Sequence, residues 1–168
     1  MANLTYSDIV GIESKAKDVL VSVFGDIENL SLPIDISRIL SQYSLTIKQG
    51  KFKNTSIVGI YNRPASTIYV SEGDSYQRKA FTVAHELGHH FLHEDKTEEI
   101  FLRTQLIKLD NEQTKQEAQA NWFAASILMP ENLIKKYWNL TKDIDKLSTI
   151  FGVSQTAVFF RLKNLGLI

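Results

Sequence analysis

All four histidines of the chain, His85, His89, His90 and His93, lie within nine consecutive positions. His85-Glu86-Leu87-Gly88-His89 fits the pattern H-E-x-x-H. On a helix, residues four apart project from the same face, so the two imidazoles can reach one ion from adjacent turns. Glu86 is offset by about 100° around the axis. From there its carboxylate approaches a water on the metal rather than the metal itself. That arrangement suits a general base beside zinc, which brings the pKa of its bound water to about 7. Chance would place this five-residue pattern in roughly one of 200 chains of such composition, so the pattern alone does not decide between a metal site and a solvated helix face.

A catalytic zinc takes three protein ligands and keeps a fourth position open. The chain has no cysteine, so the third ligand must be His, Asp or Glu. His93 lies one more turn along, but a straight helix does not bend three successive turns onto one ion. His90 points about 100° away from His89 and falls outside the ligand set. A third histidine seven residues beyond His89 would complete a metzincin pattern, but Lys96 stands there.

Glu117 is the better candidate. It shares a helical face with Ala120, Asn121, Ala124, Ile127 and Leu128, a side expected to be inside, where a carboxylate is costly unless paired or bound to a metal. The competing explanation is a buried ion pair with Arg78 or Arg103, or a place at the solvated edge of the stripe. Glu112 and Glu131 fall off that stripe and read as surface charge. Beside an H-E-x-x-H, two histidines and one glutamate make up a catalytic zinc set.

These residues need elements to hold them. Apolar residues at three- and four-residue steps predict a helix over Ser7 to Phe24, stopped by Gly25. "LPIDISRILSQY" predicts a second helix with Pro33 near its first turn, followed by a short strand in "LTIKQG". Two β-rich runs, Ser56 to Tyr61 and Ser66 to Val70, flank the turn Asn62-Arg63-Pro64-Ala65. The histidine helix is predicted over Tyr76 to His93, with a core stripe of Ala80, Phe81, Ala84, Leu87, Gly88, Phe91 and Leu92. Glu94 to Leu109 fits a strand, an irregular lid or a short helix. Asp110 and Gln113 form a capping-box pattern that opens the Glu117 helix, and Pro130 ends it. A short helix with Trp138 follows.

Composition narrows the class. With 168 residues, 43% of them hydrophobic and 10% aromatic, the chain can bury a core. Lys+Arg and Asp+Glu are both 19, which argues against a general binder of nucleic acid or anionic membrane. No signal-peptide pattern and no apolar run of membrane-spanning length is visible, so the expected location is the cytoplasm.

At this point three segments resemble one known family. "RKAFTVAHELGHHFLH", "QEAQANWFAASILMP" and "LSTIFGVSQTAVFFRLKNLGL" are similar to the ImmA/IrrE metallopeptidases. The residues that carry the resemblance are Arg78, Phe81, Thr82, Ala84 to His89 and His93, then Glu117, Ala120, Asn121, Phe123 to Ala125 and Leu128 to Pro130. It covers about Ile57 to the C-terminus. It implies Zn2+ held by His85, His89 and Glu117, with Glu86 as the base. It also implies an α+β fold, a mostly helical zincin-like core with a small sheet. The implied substrate is a helix-turn-helix repressor encoded nearby, on a phage or other mobile element, cleaved in response to stress. The residue that would assist the zinc in stabilising the oxyanion is expected in Glu94 to Leu109 or near Tyr137.

The C-terminal stretch from Thr141 to Ile168 reads as a small helix-turn-helix-like segment, with a turn at Gly152 and Ser154 as a cap. The division expected is a peptidase domain over residues 1–140 and this segment over 141–168, packed on the core. Lys142, Lys146, Arg161 and Lys163 against Asp143 and Asp145 leave it at +2, thin for phosphate contacts. Gln155, Thr156 and Lys163 would be its base readers. Docking on the core is favoured over DNA binding. The competing function is a non-proteolytic regulator that binds DNA or a repressor and merely retains the metal site. Glu86 argues against it, because a binding module has no need of a carboxylate beside the ligands.

Overall fold

The structure is a computed structural model that describes residues 4–54, 56–94, 100–104 and 111–168. Its first helix, α1 (Tyr6–Phe24), begins where Thr5 and Asp8 cap each other reciprocally: Asp8 N donates to Thr5 Oγ1 at 3.1 Å and Thr5 N to Asp8 Oδ2 at 2.9 Å. Such a cap is worth about 1 kcal/mol. Helix α1 ends at Gly25, whose φ of 76° few other residues adopt. Helix α2 (Ile36–Gln42) starts later than the sequence suggests. Asp35 is its N-cap, accepting from Ser37 N at 3.0 Å, so Pro33 lies outside the first turn.

Strands β1 (Thr46–Gly50), β2 (Ile57–Asn62) and β3 (Thr67–Ser71) precede the histidine helix α3 (Tyr76–Leu92). Strand β4 (Ile100–Thr104) resolves part of the ambiguous stretch, while 95–99 and 105–110 lie outside the described residues. The sheet order is β1-β3-β2-β4, with β1 parallel to β3 and the other pairs antiparallel. The β2–β4 register shifts between Ile57 and Gly59, so Val58 is bulged.

Helix α4 (Asn111–Leu128) carries Glu117; the expected cap at Asp110 lies outside the described residues. Helices α5 (Glu131–Thr141), α6 (Ile144–Phe151) and α7 (Gln155–Asn164) complete the order. Pro130 separates α4 from α5, Gly152 turns in the left-handed region between α6 and α7, and Ser154 Oγ caps α7 by accepting from Ala157 N at 3.2 Å.

Two apolar clusters organise the chain. One joins α1, α2, the sheet, α3 and α4 through Leu20, Ile39, Ile68, Leu87, Phe123 and Ile127. The other joins α3 and α4 to α5–α7 through Ala84, Ala124, Met129, Ile134, Leu147 and Leu162. Helix α3 therefore runs between them, and every residue from Thr82 to His89 is buried. The apolar stripe in the sequence understates this, because the helix has no solvent face along that stretch. No helix among the described residues is long and apolar enough to cross a membrane.

Arg161 differs most from its expected role. Counted as a cation of α7, it is instead 1% exposed. Its Nη1 and Nη2 donate to Glu13 of α1 at 2.6 and 3.1 Å, and its Nε donates to Met129 O at 3.1 Å. Trp122 Nε1 and Ser126 Oγ, both on α4, donate to the same Glu13 oxygen at 2.7 and 2.8 Å. This network ties the last helix to the first.

Candidate metal centre and the cleft beside it

His85 and His89 sit on consecutive turns of α3, with their Nε2 atoms 3.1 Å apart. Glu117 enters from α4 and spans both: Oε2 is 3.2 Å from His85 Nε2, and Oε1 is 3.1 Å from His89 Nε2. All three ligating atoms lie within 4.8 Å of one another. Two imidazole nitrogens and a carboxylate converging on one point form a donor set that suits zinc.

The outer nitrogens agree with that assignment. His85 Nδ1 lies 2.9 Å from Asn121 Oδ1. An amide oxygen accepts only, so His85 carries its proton on Nδ1 and presents the lone pair of Nε2 to the shared point. Burial pushes the Glu117 carboxyl up, but the two histidines that face it outweigh this and hold the group below the usual carboxylate range. An ionised carboxylate is the form able to hold a metal. Arg78, a suggested alternative partner, pairs with Asp74 at 3.4 Å.

Close packing brings the two helices to this distance. A Cβ at Gly88 would meet the Ala120 Cα at 2.8 Å. The glycine within H-E-x-x-H and a small residue one turn past Glu117 allow α3 and α4 to approach backbone to backbone. Gly59 plays the matching part on the sheet side. A Cβ there would lie 2.5 Å from Thr82 Cγ2 and 2.8 Å from Glu86 Oε1. The fully buried Glu86 carboxylate thus lies against bare strand backbone. A glycine inside a β-rich run signals such an approach, a signal the metal pattern overshadowed.

The other two histidines separate. His90 is half-buried and its Nδ1 lies 2.7 Å from Tyr61 Oη. Burial and then the nearby Arg63 charge push its pKa down, which favours the neutral ring. His93 is buried and contacts His89.

A cleft of about 710 Å³ opens on Glu117 and Asn121. Val58 and Phe81 line it on the sheet and α3 side, and Ser154 and Ala157 on the side of α7. Its size is that of a ligand site. Tyr137 is not among the residues lining it, and packs edge-on against Phe151. On α7, Gln155 Nε2 donates to Asp145 Oδ1 at 2.7 Å, and with Arg161 buried only Lys163 offers an exposed cation.

Comparison with known proteins extends these observations. A protein of Bacillus phage phi105, described as an uncharacterized immunity region protein 2, is 27% identical over 106 residues, covering 63% of each chain. The match thus spans somewhat less than two thirds of that relative. A solved structure titled Mycobacterium tuberculosis transcriptional regulator superposes with a TM-score of 0.69 at 16% identity, over 91% of this chain and 46% of the other; the likeness is one of fold. The family model Peptidase M78, IrrE N-terminal-like domain, matches residues 41–163. That span holds the H-E-x-x-H helix, the glutamate that meets it and the α6–α7 wall of the cleft, and the chain belongs to the M78 peptidase family.

Proposed function

We propose that this protein is a zinc-dependent endopeptidase whose substrate is a helix-turn-helix transcriptional repressor encoded nearby, in the cytoplasm of a cell carrying a phage or mobile element. The observation that carries the reading is the convergence of His85, His89 and Glu117 with Glu86 one residue from a ligand. The phage immunity-region relative supports the regulatory setting. The proposed division is a peptidase domain over residues 1–140 and a helix-turn-helix-like segment over 141–168, the latter held to α1 by Arg161 and Glu13.

His85, His89 and Glu117 would hold the zinc, which supplies Lewis acidity to the scissile carbonyl and to water. An extended substrate segment would lie in the cleft, with Ser154 and Ala157 facing Phe81 across it. Glu86 takes the proton of the attacking water and returns it to the leaving amine, the general acid–base work expected of a buried carboxylate. Asn121 holds His85 in the tautomer that binds through Nε2.

Co-expression with the neighbouring repressor tests the reading. Wild-type protein should deplete full-length repressor and yield two fragments, and Glu86→Gln should leave it intact. Repressor loss that persists in Glu86→Gln would sink the peptidase assignment.

A further inference from the structure

His93 lies outside the three-ligand set, yet it is 5% exposed and stands at the C-cap of α3. Its Nδ1 is 3.1 Å from His89 Nδ1, and its Nε2 is 3.0 Å from Gln119 Oε1. A neutral imidazole has one N–H and one lone pair. Because Gln119 Oε1 accepts, His93 carries its proton on Nε2. His93 Nδ1 then accepts, and His89 Nδ1 must donate. The lone pair of His89 is left on Nε2, the atom 3.1 Å from Glu117 Oε1. The opposite run of protons would put a hydrogen on His89 Nε2 and block a cation there.

The end of the helix is held from the sheet side as well. Arg63, in the turn between β2 and β3, donates from Nη2 to His89 O at 3.2 Å and to His93 O at 3.0 Å. A cation on these last carbonyls is favourable, and it keeps the C-cap residue beside His89. Gln119 lies on α4 two residues after Glu117, so the run from Gln119 through His93 to His89 joins the helix that carries the carboxylate to the helix that carries the imidazoles.

We propose that His93, oriented by Gln119, is a positioning residue of the metal centre, fixing the tautomer and ring direction of His89. The proposal rests on the metal-centre reading above. Groups behind a metal-binding imidazole change affinity by about 10–100-fold when removed.

The test is the zinc affinity of the full chain, measured by competition with a chromophoric chelator, beside thermal unfolding of the metal-free chain. His93→Leu should weaken zinc binding about 10–100-fold. His93→Asn, whose Oδ1 can replace the Nδ1 acceptor, should recover most of that loss, and Gln119→Leu should fall between. The metal-free chains should unfold close to wild type. Wild-type affinity in His93→Leu would overturn the inference, as would a His93→Asn no better than His93→Leu. If His93→Leu does not fold, unchanged affinity in both His93→Asn and Gln119→Leu overturns it. A wild-type chain that takes up no zinc would overturn the metal-centre reading itself, a failure distinguishable from the others before any variant is compared.

Discussion

Gly88 and Ala120 meet backbone to backbone where α3 crosses α4, leaving no room for a side chain: a Cβ on Gly88 would stand 2.8 Å from the Ala120 Cα. The contact lies one residue from His89 and three from Glu117, so it sets the span between imidazole and carboxylate. Gly88→Ala gains about 1 kcal/mol of helix propensity but overpacks the crossing at about 1–3 kcal/mol. Overpacking should win, because the nearest atom is backbone and cannot rotate away. The expected outcome is a lower unfolding midpoint and weaker zinc binding together, measured by denaturant titration and chelator competition. Ala120→Gly should not rescue it, since the clashing Cα remains.

Removing the carboxylate tests the ligand set directly. Glu117→Ala should weaken zinc binding by more than the roughly 100-fold upper range for groups behind the ligands. Metal analysis after dialysis against a chelator checks this, and zinc retained at wild-type affinity would contradict the ligand role.

On the sheet side, Gly59→Ala places a methyl group 2.8 Å from Glu86 Oε1 and 2.5 Å from Thr82 Cγ2. Peptide hydrolysis should fall at least about tenfold, equal to about 1.4 kcal/mol in the barrier, while zinc affinity changes little. Adding Thr82→Ser relieves only the methyl clash, so the double variant should stay below wild type. Full activity in Gly59→Ala would show that Glu86 does not need this approach.

The Glu13–Arg161 network predicts an acid dependence. Burial raises the Glu13 carboxyl, but Arg161, Ser126 and Trp122 outweigh it and hold the pKa below its ordinary 4.5. A group with a depressed folded pKa contributes stability above the unfolded value and loses it as pH falls through the folded one. Glu13→Gln should therefore cost about 3 kcal/mol near neutrality, since it strands a buried guanidinium. The gap from wild type should close as pH drops below 4.5. Parallel urea titrations from pH 7 to pH 3 would check it; a gap independent of pH would contradict the charge-based account.

The exposed face of α7 predicts poor DNA binding. With Arg161 turned inward, few phosphate contacts remain, and the logarithm of affinity should change by about 0.9 per contact for each tenfold change in salt. Fluorescence anisotropy with duplex DNA should give a weak and shallow salt response, unaltered by Lys163→Ala. Submicromolar binding with a steep slope would revive the DNA-reading alternative.

By itself the sequence determined what local periodicity can determine. Four-residue spacing put His85 and His89 on one helical face with Glu86 beside them, and β-rich runs and stop or cap residues put β2, β3, Gly25 and Ser154 near their observed places. Glu117 was legible because a carboxylate stood on an otherwise inner stripe. The remaining features depend on what meets what across the fold, which no spacing encodes. Tertiary packing decided that α3 is buried on every side from Thr82 to His89, because one apolar cluster closes over each flank. It decided that Arg161 faces Glu13, 148 residues away, rather than solvent, because a half-buried carboxylate lies within reach of its guanidinium. It also placed Gln119 behind His93, whereas His93 follows His89 by one helical turn, a local spacing. Hydrogen bonds between side chains of different helices depend on the crossing geometry, and here that geometry follows from two small residues, Gly88 and Ala120.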